Sequence, residues 1–135
     1  MKLEFLASKK SLDYRLKSEK TDNFKWYSVY ENNEHVGHVS FLYTNDLNVK
    51  VESLFITNKN KGYGTKILRE ICSHANELSA DKVIIADLMT GAYGLSLLDR
   101  LKIFKKIGNA FKSEGLVKKV IFEDYFSTKN VIYLL

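Results

Sequence analysis

Thr57 to Leu68 reads "TNKNKGYGTKIL", and this stretch decides the fold. Two glycines, Gly62 and Gly64, stand one residue apart among lysines, where extended sequence gives way to helical sequence. Upstream, "NVKVESLFIT" is rich in β-branched and aromatic residues and predicts a strand. Downstream, Ile67, Leu68, Ile71, Cys72, Ala75 and Leu78 recur at helical spacing, which predicts an amphipathic helix from Gly64 through Asn76. A strand, a short basic loop, Gly-x-Gly and a helix suit a pyrophosphate. The first turn of a helix leaves N–H groups unpaired, its dipole favours negative charge, and glycines let the backbone close on an anion. The same glycines also serve a plain tight turn, and the short motif leaves both readings open. Two nucleotide motifs are excluded: a Walker A loop needs four residues between its glycines, and Ile67 occupies the third glycine position of G-x-G-x-x-G.

Further out, "NFKWYSVYENNEHVGHVSFLY" alternates as a hairpin about a polar turn at Glu31-Asn32-Asn33-Glu34. Short strands are expected near Leu3 to Leu6 and Tyr14 to Lys17. Beyond the central helix, "KVIIADL" is a nearly continuous apolar run, as expected of a strand covered on both faces. A second helix carries Leu95, Leu98, Leu101, Phe104 and Ile107 on one face, with Gly108 as its expected C-cap. "LVKKVIFEDYFSTKNVIYLL" closes the chain as two strands. The expected fold is α/β (α+β): a mixed, mostly antiparallel sheet with one central strand-helix-strand crossover and two main helices.

The 135 residues, 45% hydrophobic and 27% charged, predict a single globular domain, 1–135. No apolar run approaches the roughly 18 residues of a membrane span, and "MKLEFLASKK" is too polar for a signal peptide. With one cysteine, Cys72, no internal disulfide can form, so a cytoplasmic setting is expected. The net charge of +5 gathers in two local segments. One holds Lys59, Lys61, Lys66 and Arg69; the other holds Arg100, Lys102, Lys105, Lys106 and Lys112. Neither a membrane nor a nucleic-acid partner is expected from them. His35 and His38, three apart on a predicted strand, are expected on opposite faces and so unable to chelate one metal together.

The Lys59-Asn60-Lys61-Gly62-Tyr63-Gly64 segment resembles the central motif of the GNAT N-acetyltransferase superfamily, Gln/Arg-x-x-Gly-x-Gly/Ala, with Lys59 in place of Gln or Arg. "GYGTKIL" is similar to that family's Gly-x-Gly-Thr/Ser-x-Leu-Leu continuation. The hairpin "HVGHVSF", the strands "VESLFI" and "VIIADL" and a helix ending "IFKKIG" follow the family order over roughly 29–135. The chain looks like a shortened form with little room for the usual helix pair near the amino end.

The resemblance implies acetyl-coenzyme A as co-substrate. Main-chain groups of Phe55, Ile56 and Thr57 would pair with its pantetheine arm. Lys59, Asn60 and the amides of Lys61, Gly62, Tyr63, Gly64 and Thr65 would hold its pyrophosphate, with both basic segments at the mouth. Acetyl transfer needs a neutral amine and an acid for the leaving thiolate. Phe104 stands where the family often has a tyrosine acid and has no proton to give. Leu98, in place of a common asparagine, and the inserted Asn109-Ala110 depart from the pattern as well. Tyr93 is therefore the candidate acid, with Tyr125 and Tyr133 as rivals. Glu52, expected to share a face with Leu54 and Ile56, is the candidate base, with Asp87 as rival. The acceptor would be an amine of a small molecule or a protein lysine. The alternative is a catalytically weak or inactive GNAT-fold module that binds a protein or nucleic-acid partner.

Overall fold

The computed structural model describes residues 3–7, 24–44, 47–57, 61–86, 97–125 and 128–135. The elements run β1 (Glu4–Ala7), β2 (Phe24–Glu31), β3 (Glu34–Tyr43), β4 (Asn48–Ile56), α1 (Tyr63–Glu77), β5 (Lys82–Ile85), α2 (Leu97–Ser113), β6 (Lys119–Tyr125) and β7 (Thr128–Leu134). They form a seven-stranded sheet in the order β1-β2-β3-β4-β5-β7-β6. β4 and β5 are parallel, with α1 as their crossover, and the other five neighbouring pairs are antiparallel. The expected mixed sheet and crossover are therefore present; the strand expected at Tyr14 to Lys17 lies outside the described residues.

Local chemistry accounts for the elements. Asn32 and Asn33 both take positive φ, 53° and 65°, and Glu31 pairs with Glu34, so the hairpin turns on two residues. Asparagine tolerates that left-handed conformation, and such turns match the twist of the strands. The registers Phe41↔Val51↔Ile85↔Val131 and Tyr43↔Val49↔Val83↔Tyr133 line up rows of side chains on one face of the sheet. Most of these are buried, as are Ile67, Leu68, Ile71, Cys72 and Ala75 of α1 and Phe111 of α2, so both helices cover that face. β5 is less enclosed than its apolar run predicts: Val83 and Ile85 are buried, whereas Ile84 is only half-buried.

Gly108 corrects the reading of α2. The helix continues to Ser113, and Gly108 is buried within it. A Cβ there would stand 2.5 Å from Tyr133 Cε1 and 2.8 Å from Val120 Cγ2, so the glycine lets α2 lie close on the sheet. The helix ends instead at Gly115, φ 79°, whose N–H is donated to Lys112 O while Leu116 N–H is donated to Phe111 O. That pair of bonds is a Schellman motif.

Two bulges matter for the site. Ser40 pairs with Ser53 and Phe41 with Val51, which leaves Glu52 as an extra residue in β4. Val29 pairs with Gly37 and Tyr30 with His35, which leaves Val36 extra in β3. Each extra residue bends its strand and shifts the alternation of side chains.

Candidate functional site

β4 and β5 pair only over Asn48–Val51 and Lys82–Ile85, and the last bond is Ala86 N–H to Val51 O. β4 continues to Ile56, so its β5-facing edge is open from the Glu52 bulge onward among the described residues. The Thr57 N–H is donated to Val36 O, so the Thr57 main chain faces β3. Main-chain direction alternates along a strand, and Phe55 therefore faces β3 too, while Leu54 and Ile56 present their N–H and C=O groups to the open edge. Of the expected set, Ile56 presents its main chain to the open edge together with Leu54, whereas Phe55 and Thr57 turn theirs to β3. The Phe55 side chain is exposed on the opposite face from buried Leu54 and Ile56.

The open edge leads to α1. Gly62 is its N-cap with φ 74° and no side-chain cap, and no acid occupies the first turn. The first intrahelical bond is Lys66 N–H to Gly62 O, so the Tyr63, Gly64 and Thr65 amides precede the helical ladder. A Cβ on Gly62 would meet no protein atom within 4 Å. Packing therefore does not demand this glycine; its left-handed backbone does, and the space beside it is open. Lys61 and Gly62 are exposed, and Lys59 and Asn60 lie outside the described residues.

Tyr63 is buried, and its hydroxyl donates to Glu31 Oε1 at 3.0 Å; Lys66 Nζ donates to Glu31 Oε2 at 3.4 Å. The Tyr63 hydroxyl, with help from Lys66, holds the Glu31 carboxyl below the usual carboxylate range. The end of the β2–β3 hairpin is thus fastened to the first turn of α1, a link between residues 32 apart that periodicity cannot reveal. Other basic residues have intramolecular partners. Arg69 makes a two-pronged pair with Glu114, at 2.8 and 3.1 Å, and Lys105 Nζ lies 4.7 Å from the Phe122 ring centre.

Among the candidate catalytic groups, Tyr93 and Asp87 lie outside the described residues, and the Tyr125 side chain is not described. Glu52 sits at the bulge with its side chain 15% exposed, 3.7 Å from Lys50 Nζ. The bulge places it on the Lys50 side of β4, not on the face of Leu54 and Ile56 as expected. Tyr133 is fully buried beneath α2 and its hydroxyl donates to Phe104 O at 2.5 Å; burial raises its pKa. That tyrosine has no proton to offer a substrate. Burial likewise pushes the Cys72 thiol up to about 12, in keeping with a packed thiol.

The histidine expectation is overturned. The extra residue Val36 brings His35 and His38 together, with ring centres 4.5 Å apart. His35 Nδ1 is 3.2 Å from Thr57 Oγ1, and His38 Nδ1 is 3.2 Å from Ser28 Oγ. Burial and then the neighbouring His35 lower the His38 pKa, which favours the neutral ring. No group of three or more His, Cys, Asp or Glu residues able to hold a metal occurs among the described residues. Nor is any described helix long and apolar enough to cross a membrane.

No family model matches the chain, and a search of the curated proteins found no match. Solved structures do match. A Bacillus subtilis acetyltransferase in complex with CoA aligns at 19% identity with a TM-score of 0.61, covering 98% of this chain and 97% of that one. The Campylobacter jejuni N-acetyltransferase PseH in complex with acetyl coenzyme A aligns at 13% identity and TM-score 0.62, covering 98% of each. A GNAT family acetyltransferase from Elizabethkingia anophelis with acetyl-CoA bound aligns at 19% and 0.58, covering 98% and 95%. The chain has the GNAT fold.

Proposed function

We propose that this protein binds acetyl-coenzyme A in the opening between β4 and β5 and transfers the acetyl group to an amine, of a small molecule or of a protein lysine. The observation that carries the reading is the juxtaposition of an open strand edge with an uncapped, acid-free helix N-terminus at Gly62. An extended pantetheine arm needs alternating main-chain partners, which Leu54 and Ile56 supply. A pyrophosphate needs convergent amides, which Lys61 to Thr65 supply, and the first turn of α1 carries no acidic residue of its own. Lys59 and Asn60 extend the same loop in sequence. The structures that share the fold, several crystallised with CoA or acetyl-CoA, support the choice of ligand.

In the transfer, the amine nitrogen attacks the thioester carbonyl, the carbon–sulfur bond breaks, and the amine's proton is lost as the thiolate gains one. Glu52 is the base of this proposal and Tyr93 the acid. Calorimetric titration with acetyl-coenzyme A, followed by coenzyme A release assayed over a panel of amines, tests both halves. Binding with turnover is expected; a folded sample that does not bind acetyl-coenzyme A overturns the reading. Glu52→Gln should lower turnover at least tenfold while leaving acetyl-coenzyme A affinity within about twofold.

One observation favours a second reading, a GNAT-fold module that works by binding a protein or nucleic-acid partner. Phe104 has no acidic proton, and Tyr133, packed beneath it, has its hydroxyl engaged by the Phe104 carbonyl. Tight acetyl-coenzyme A binding with no turnover on any amine would select that reading.

A further inference from the structure

A second concavity lies on the helix-bearing face, beside α1 and away from the β4/β5 opening. It is a cavity of about 290 Å³ lined by Leu3, Phe5, Tyr27, Phe41, Ile71, Glu70 and His74. Its walls are aromatic: Tyr27 stacks on Phe41 at 5.3 Å, and Phe5 meets Tyr27 edge-on at 6.1 Å. Glu70, Ile71 and His74 fall on one side of α1, and the His74 ring rests edge-on against Tyr43. His74 is twelve residues beyond Gly62, so the cavity is about 18 Å along the helix from the cradle.

The lining selects the chemistry of an occupant. Seen from the cavity, the apolar and aromatic surface is interrupted by one carboxylate, that of exposed Glu70, and by the imidazole of His74. Glu70 makes no hydrogen bond or close ion pair among the described residues, although its charge acts on neighbouring Arg69, whereas Glu31 and Glu114 each hold a cation directly. An anionic ligand would be repelled there, and a neutral one would leave the carboxylate to water. A cation is attracted by Glu70 and by the electron-rich ring faces together. The volume, at the small end of the roughly 300–1,000 Å³ of small-molecule sites, admits a single ring rather than a peptide. We infer that this cavity is a binding site for a small arylalkyl-ammonium, with the ring against Tyr27 and Phe41 and the ammonium on Glu70. It stands apart from the acetyl-coenzyme A reading, since it uses none of those residues.

The test titrates 2-phenylethylammonium into the full chain without acetyl-coenzyme A and follows backbone amide resonances. Saturable shifts at Phe41, Ile71 and His74 are expected, with a Kd on the order of a millimolar, as befits a fragment. Glu70→Gln, a change on an exposed helix position, should weaken the binding at least about fivefold, and the uncharged 2-phenylethanol should bind the native chain more weakly by a similar factor. The inference is overturned if no saturable shift occurs or if shifts fall only on residues 54–56 and 61–65. Equal affinity for the alcohol, or an unchanged Kd in Glu70→Gln, overturns it as well.

Discussion

At Gly62 and Gly108 one residue type serves two different physical needs, and each need predicts its own mutant behaviour. Gly62 has φ 74° and open space where a Cβ would go. A valine there costs about 1–2 kcal/mol of backbone strain and places a side chain where the pyrophosphate would approach. Gly62→Val should weaken acetyl-coenzyme A at least tenfold, about 1.4 kcal/mol, by calorimetry on a sample whose circular dichroism stays native. Unchanged affinity in a folded variant would reduce Gly62 to a turn residue. Gly108 is the reverse case, a helical glycine hemmed in by Tyr133 and Val120. Helix propensity alone predicts that Gly108→Ala stabilises by up to about 1 kcal/mol. The clash predicts the opposite, about 1–3 kcal/mol of overpacking, because fully buried Tyr133 is fixed by its bond to Phe104 O and has nowhere to move. Denaturant unfolding should show a net loss; a gain would mean that α2 shifts freely on the sheet.

Elements were legible where periodicity speaks and illegible where a single extra residue changes the parity. Of the expected α1 stripe, Ile67, Leu68, Ile71, Cys72 and Ala75 are buried, because burial of one face is what selects that spacing, whereas Leu78 is the C-cap, where the helix has ended, and is exposed. The bulges at Val36 and Glu52 left no such trace. As a result, the His35–His38 contact and the side of β4 on which Glu52 lies both differ from the expectation. The helix ends show the same limit. Both helices close with Schellman bonds: α1 through Ser79 N–H to Asn76 O and Ala80 N–H to Ala75 O, α2 through Gly115 and Leu116. Only α2 marks its end with glycine. Ser79 takes φ 59°, at a steric cost that glycine would not bear. Ser79→Gly should therefore stabilise the protein by about 0.5–1 kcal/mol, since relief of that strain outweighs the added freedom of the unfolded chain. A lower unfolding free energy in the glycine variant would mean that the serine side chain has a stabilising role of its own.

Across the molecule, two carboxylates far apart in sequence fasten α1 to its neighbours: Glu31 from the β2–β3 hairpin and Glu114 from the end of α2. Both have pKa values below their ordinary range, Glu31 chiefly through the Tyr63 hydroxyl and Glu114 chiefly through Arg69. In the unfolded chain they bind protons more readily, so stability rises with pH across the window between the lowered folded values and the ordinary carboxylate value. The contribution is complete above about pH 5 and is lost as pH falls through the folded values. Unfolding free energy should thus decline below about pH 5, and the decline should be shallower when Glu31→Gln and Glu114→Gln are combined. The Arg69–Glu114 pair and Lys66 are solvent-exposed, so their contributions are small and weaken with salt, whereas the Glu31 side chain is only 11% exposed and its bond to buried Tyr63 is screened less. Their arrangement makes one outcome specific to the fold. Acid should release the hairpin from Tyr63 and Lys66, at the first turn of α1, and acetyl-coenzyme A affinity should then fall over the same pH window in the native chain. In Glu31→Gln, where that link is already altered, the affinity should change less with pH. Identical pH profiles for the two proteins would separate the hairpin from the cradle.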